Sequence, residues 1–112
     1  MKLADVRRFA VGLPEVTEEP HHHFSSFRVR GKIFVTVPPE EDHIHVFVSE
    51  TSREQALSLY PEFVEKLFWG GKVCGIRIQM ASAKPAAVKD LVRSAWATKA
   101  PKSLANKAGG EA

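Results

Sequence analysis

Apolar residues along this chain switch between two periods. Leu3, Val6, Ala10 and Leu13 recur at helical spacing, with Lys2, Arg7 and Arg8 outside the stripe, which predicts a first helix over residues 2–11. Gly12 and Pro14 end it. The stretch EVTEEPHHH that follows has neither period and reads as a polar connection containing Pro20. Three runs then alternate apolar and polar: Phe24 to Arg30, Lys32 to Pro38, and Ile44 to Val48. Their joins, Arg30-Gly31-Lys32 and Pro39 to His43, are short enough for hairpins, so the runs predict an antiparallel meander.

Thr51, with Glu54 three residues on, has the spacing of a capping box and predicts a helix reaching about Tyr60, before Pro61. The segment PEFVEKLFWGGKVC begins helix-like and breaks at Gly70-Gly71, leaving its structure open. Gly75 to Met80 alternates cleanly and predicts a fourth strand. Lys84-Pro85 opens a last helix, with proline in the first turn, where its missing N–H costs little. Val88, Leu91, Val92, Ala95 and Trp96 line one side of that helix, and Pro101 ends it.

The resulting order is α-β-β-β-α-β-α. It predicts an α+β fold of two layers, a four-stranded, mostly antiparallel sheet with helices on one face. Residues 1–104 form one domain in this reading, and residues 105–112 are a flexible tail. Strict alternation places Phe27, Val29, Ile33, Val35, Val37, Ile44, Val46, Val48, Ile76, Ile78 and Met80 under the helices. The other face then carries Ser26, Arg28 and Arg30; Lys32, Phe34 and Thr36; His43, His45 and Phe47; and Arg77 and Gln79.

Charge adds to that picture. The net charge is +3, but residues 1–65 hold seven basic side chains against eleven carboxylates, and residues 66–112 hold nine against two. This asymmetry points to an anionic partner, of which nucleic acid is the commonest. Cations contact phosphates and aromatic faces stack on bases, so the open face is a candidate nucleic-acid surface. Its expected contacts are Arg28, Arg30, Lys32 and Arg77, with Phe34 and Phe47 as stacking rings. Lys72, Lys84, Lys89, Arg93, Lys99 and Lys102 would extend the phosphate-binding surface. A competing reading has the loop with Phe68 and Trp69 fold over the face and bury both phenylalanines.

Other chemistries find less support. The lone Cys74 cannot build an internal disulfide, and the N-terminal stretch lacks a secretory signal, so cytoplasm is the expectation. No apolar run approaches the roughly 20 residues of a membrane helix. His21, His22, His23, His43 and His45 lack the paired cysteines of a structural zinc site, and no metal or cofactor is expected. There is no glycine-rich phosphate loop, GxSxG, CxxC or metalloprotease signature, so no enzyme is expected and no catalytic residue is named. The alternative to nucleic-acid binding is a non-enzymatic module whose open face takes a protein or a small ligand.

The stretch GLPEVTEEPHHHFSSFRVRGKIFVTVPP resembles the MmcQ/YjbR family of small bacterial proteins, and DLVRSAWATKAPKSL is similar to that family's last helix. The resemblance covers about residues 1–105. By motif it places Phe27, Arg28, Gly31 and Lys32 in the hairpin, and Trp96, Pro101 and Lys102 at the final helix. It implies an α+β fold with an antiparallel sheet, related to frataxin-like and double-wing domains. It also implies DNA binding, largely by analogy of fold. No catalytic residues come with it.

Overall fold

The computed structural model describes residues 1–110, with side chains through Asn106. Along the chain lie α1 (Leu3–Val11), β1 (Val16–His21), β2 (Phe24–Val29), β3 (Lys32–Val37), β4 (His43–Val46) and α2 (Glu50–Leu59). They are followed by β5 (Val64–Trp69), β6 (Lys72–Gln79), α3 (Pro85–Lys99) and α4 (Lys102–Gly110). The strands form one sheet in the order β1-β2-β3-β4-β6-β5, with every neighbouring pair antiparallel. The fold is thus α+β with an antiparallel sheet, but six strands stand where four were expected.

Both additional strands are edge strands. Only the ends of β1 are half-buried, and its four middle residues are exposed, so it has no apolar face to show an alternation. Pro20 fits there because an edge strand can spare an N–H. In β5 the burial falls away from Val64 toward the exposed Phe68 and Trp69. The Gly70-Gly71 break is the turn of the β5–β6 hairpin. Its residues have φ of 57° and 81°, the left-handed pair that a two-residue type I′ turn requires.

The helices share one face: α3 lies over β3 and β4, α1 meets β1 and α3, and α2 covers β5 and β6. Between the layers Phe27, Val35, Ile44, Val46, Ile76 and Ile78 of the sheet pack with Val6, Val88, Val92 and Trp96 of the helices. Trp96 is a core residue, as its place in the apolar stripe predicts. Its indole N–H donates to the Pro14 carbonyl at 3.0 Å, which satisfies the ring's one polar atom in the interior.

One residue of strict alternation fails. Phe27 pairs with Val35 but Arg28 pairs with Ile33, so Phe34 is the extra residue of a β-bulge. The bulge turns Phe34 into the core, fully buried, and leaves Ile33 beside Arg28 on the open side. Phe34 therefore cannot serve as an exposed stacking ring. At the start of α2 the N-cap is Ser49 and not Thr51; its Oγ accepts from the Ser52 N–H at 3.2 Å. Helix α4 runs from Lys102 into the stretch expected as a tail, residues 105–112, and Ala105 packs against the core beside Leu104. Residues 111–112 of that tail lie outside the described residues.

Candidate functional site

Strand registers arrange the open face in rows. One row crosses the whole sheet through Glu19, Ser26, Thr36, His45, Arg77 and Glu65. The β1–β2 turn, closed by the His21–Phe24 pair, stands at one corner of the sheet. The β5–β6 turn, closed by Trp69–Lys72, stands at the corner diagonally opposite. A twisted sheet lifts two diagonal corners toward the same side. Between them lies a groove of about 840 Å³. His21, His22 and Phe24 make one wall, Thr36, His45 and Phe47 the floor, and Leu67, Trp69, Lys72, Val73 and Cys74 the other wall.

Two backbone features shape the far wall. A Cβ on Gly75 would lie 2.6 Å from the Val46 carbonyl oxygen and 3.3 Å from the Phe47 Cα. The bare backbone thus lets β6 approach the end of β4 and seats Phe47 beside the wall. One residue away, Leu67 pairs with Gly75 but Phe68 pairs with Val73, so Cys74 is the extra residue of a second bulge. Bulges increase local twist, which helps to raise this corner over the floor.

The lining is mostly apolar and aromatic. Trp69 is 77% exposed, far more than a ring of its size ordinarily is. On the floor the His45 Nδ1 lies 3.3 Å from the Thr36 hydroxyl, and its ring stands 5.2 Å from that of His43 and 6.0 Å from that of Phe24. Burial, reinforced by the neighbouring His43 and Arg77, pushes the His45 imidazole down to about 4, so it is neutral at physiological pH. At the sheet end Asp42 is hydrogen-bonded to the His43 ring, which holds the Asp42 carboxyl below its ordinary value. Among the lining residues Lys72 is the one with a fixed charge, and no carboxylate lines the groove.

Of the six residues expected as principal nucleic-acid contacts, Phe47 alone lines this groove, and of the further cations Lys72 does. Arg28 is on the open face but is tied down: its Nε donates to the Ser26 hydroxyl at 3.0 Å and its Nη2 to the Pro20 carbonyl at 3.1 Å. Arg30 and Lys32 sit at the β2–β3 turn, where Arg30 and Gly31 have φ of 48° and 80°. The Arg30 guanidinium forms a bidentate pair with Glu15, at 2.8 and 3.0 Å, which holds the Glu15 carboxyl below its ordinary value. Arg77 stands 3.6 Å from Glu65. Lys32 is exposed, and Phe34 is in the core.

The other five further cations lie away from this surface. Lys84, Lys89, Arg93, Lys99 and Lys102 belong to α3, its cap and α4, in the opposite layer. There the Lys89 Nζ and the Arg93 guanidinium stand over the Phe9 ring at 6.0 and 5.3 Å, beside a smaller cavity of about 370 Å³ that Arg8 also lines. Five groove residues are not named as site residues by sequence reasoning: Phe24, and Leu67, Trp69, Val73 and Cys74 of the segment whose structure the sequence leaves open. The Gly70-Gly71 pair was the available signal, since two glycines between apolar runs mark a type I′ hairpin. Among the described residues no set of three or more His, Cys, Asp or Glu side chains is placed to hold a metal ion, and no helix is long and apolar enough to cross a membrane.

The chain is thus a two-layer α+β domain with its helices on one sheet face and the groove on the other. The YjbR family model matches residues 11–98, and the chain belongs to the YjbR family. That span contains every residue lining the groove. The crystal structure of the Deinococcus radiodurans protein DR2400, a DUF419 domain, is similar in fold, with a TM-score of 0.75. The likeness covers 96% of this chain and 88% of that one at 14% identity. No curated protein matches the sequence.

Proposed function

We propose that this YjbR-family chain is a non-catalytic binding module whose open-face groove holds a small, largely apolar ligand. The observation that carries this reading is the combination of volume and lining. A groove of about 840 Å³ lies within the range typical of small-molecule sites. Its walls bring Phe24, Leu67, Trp69 and Val73 around a floor of Phe47, Thr36 and His45 whose only titratable ring is neutral. Leaving such a surface in water is unfavourable, and a ligand that covers it recovers roughly 25 cal/mol per Å² of apolar area before binding costs.

The test is titration with N-phenyl-1-naphthylamine, a neutral fluorophore. One-to-one binding is expected, with emission shifted to the blue and energy transfer from Trp69, the exposed one of the two tryptophans. Phe47→Asp, which puts a charge on the floor, is expected to weaken it at least about tenfold, the effect of burying an unpaired carboxylate beside the probe. Absence of binding, or binding indifferent to Phe47→Asp, Trp69→Ala and Leu67→Asp alike, would count against the groove.

A second reading, nucleic-acid binding with little sequence preference, is favoured by one observation: Lys89 and Arg93 converge over Phe9 with Arg8 nearby, in the helix layer. It moves the phosphate contacts away from the Arg30-Gly31-Lys32 turn, where Glu15 already neutralises Arg30. Fluorescence anisotropy with single- and double-stranded DNA, from about 50 to 200 mM salt, tests it. Lys89→Ala with Arg93→Ala should flatten the salt slope, while Arg30→Ala with Lys32→Ala should leave it nearly unchanged. The reverse pattern would return the contacts to the hairpin.

A further inference from the structure

We infer that the ligand of the groove is an anion: a planar aromatic body carrying one carboxylate, sulfonate or similar group that meets Lys72. The inference rests on the groove being a ligand site and concerns the chemical class of what it holds.

Lys72 follows the Gly70-Gly71 turn and pairs across the hairpin with Trp69, so an exposed indole and an exposed ammonium stand side by side on one wall. Among the described residues no carboxylate lies within ion-pair distance of Lys72, whereas Arg7, Arg8, Arg30, Arg53 and Arg77 each have one. The two carboxylates of the open-face row have partners of their own. Glu65 accepts from the Gln79 amide at 3.1 Å, and Glu19 accepts from the Thr17 hydroxyl at 2.8 Å. None of the eleven lining residues is acidic, so an anion entering the groove meets no like charge.

The remaining lining explains why the anion must carry an apolar body. Trp69, Phe47 and Phe24 line the groove between Lys72 and the opposite corner. The neutral His45 beside Thr36 adds a polar contact to the floor without a second charge. A simple inorganic anion would gain the exposed ammonium alone, which is worth little in water. A neutral hydrocarbon would gain the rings but leave Lys72 unused. An aromatic monoanion engages both.

A matched pair of probes separates charge from apolar area. 8-Anilino-1-naphthalenesulfonate has the same anilinonaphthalene body as N-phenyl-1-naphthylamine, plus one sulfonate. Both are titrated into the wild type, Lys72→Met and Lys72→Arg at low salt. Lys72→Met keeps most of the stem's apolar area and should weaken the sulfonate probe about 3- to 10-fold, in keeping with a partly exposed charge-assisted contact. It should change the neutral probe less than about twofold, and Lys72→Arg should restore the sulfonate probe.

Equal weakening of both probes, or of neither, would overturn the inference while the retained binding of the neutral probe leaves the groove standing as a ligand site. Failure of both probes to bind the wild type would remove the groove reading itself, and the inference with it. Probe affinity that falls as protein concentration rises would mean that a second copy of the chain occupies the groove, and would equally overturn it. All variants lie at an exposed turn-flanking position, so folding is checked simply by an unchanged thermal midpoint.

Discussion

The β2–β3 and β5–β6 hairpins share one turn geometry, with left-handed φ at both central residues, yet they do opposite things. At Arg30-Gly31 the basic side chain is clamped by Glu15, and the ring that sequence alternation aimed outward, Phe34, is packed inside by a bulge. At Gly70-Gly71 the adjoining rings Phe68 and Trp69 are 59% and 77% exposed, and Lys72 has no ion-pair partner among the described residues. The first turn therefore completes the structure, and the second leaves contacts unmade. Local sequence chemistry alone ranks them the other way, because Arg-Gly-Lys reads as a basic tip and Gly-Gly as a break. The difference lies in what the neighbouring segment brings: Glu15, just before β1, pairs with Arg30 of one hairpin, while no carboxylate lines the groove beside the other.

The largest effect that sharpens this contrast comes from two phenylalanines, one in β3 and one just past the end of β4. Phe34→Ala is expected to cost about 3–5 kcal/mol of stability in chemical denaturation, as truncation of a fully buried ring does, and to leave the probe contacts of the groove in place. Phe47→Ala removes a half-buried ring and is expected to cost less than half as much while weakening N-phenyl-1-naphthylamine binding severalfold. Equal destabilisation by the two would mean that the bulge does not separate their roles. Next in size is Gly75→Ala. Its Cβ would press on the Val46 carbonyl, so a loss of about 1–3 kcal/mol is expected, with groove binding reduced alongside as β6 moves away from Phe47. A neutral outcome would break the link between close strand approach and groove shape.

How much of this was legible from sequence follows the same physics. The helices at both ends, the β2–β3 hairpin and the inward residues of β4 and β6 carry clean periods because one of their faces is buried. Strand β1 has no buried face between its ends, and β5 has one buried residue, so neither imprints a period; their existence is settled by pairing with β2 and β6. A bulge inserts one residue into pairing without any mark in the alternation, which is why Ile33 and Phe34 exchanged faces. The groove needed both edge strands to be visible at all. Alternation puts Phe47, Thr36 and His45 on the open face, where they line the groove, but the wall that makes them a site belongs to a segment without a clear period.

The floor of the groove supplies a prediction of moderate size. The His45 pKa is lower in the folded protein than its ordinary 6.5, at about 4, so the unfolded chain binds more protons in between. Stability contributed by the neutral ring is complete above pH 6.5 and is lost as pH falls toward 4. The loss should amount to roughly 1–2 kcal/mol once the ring's partial exposure is allowed for. His45→Asn should flatten the stability profile between pH 6.5 and 4.5, above the range in which Glu15 and Glu18, both lowered, take over. A profile unchanged by that substitution would show that the ring remains solvated.

The smallest expected effect is at the first hairpin. Arg30 and Glu15 are both exposed, so breaking their pair with Glu15→Gln should leave the thermal midpoint essentially unchanged. Its informative consequence is electrostatic. If release of Arg30 in this variant creates salt-dependent DNA binding that the wild type lacks, Glu15 is what holds the basic turn silent.

The central claim, that the open-face groove is the binding site, is tested most directly by amide chemical-shift mapping of the ¹⁵N-labelled protein titrated with N-phenyl-1-naphthylamine. The account predicts that the largest shifts fall on Phe24, Thr36, His45, Phe47, Leu67, Trp69 and Val73, on both diagonal corners at once. Shifts confined to α1 and α3 around Phe9, or scattered without relation to the groove, would contradict it.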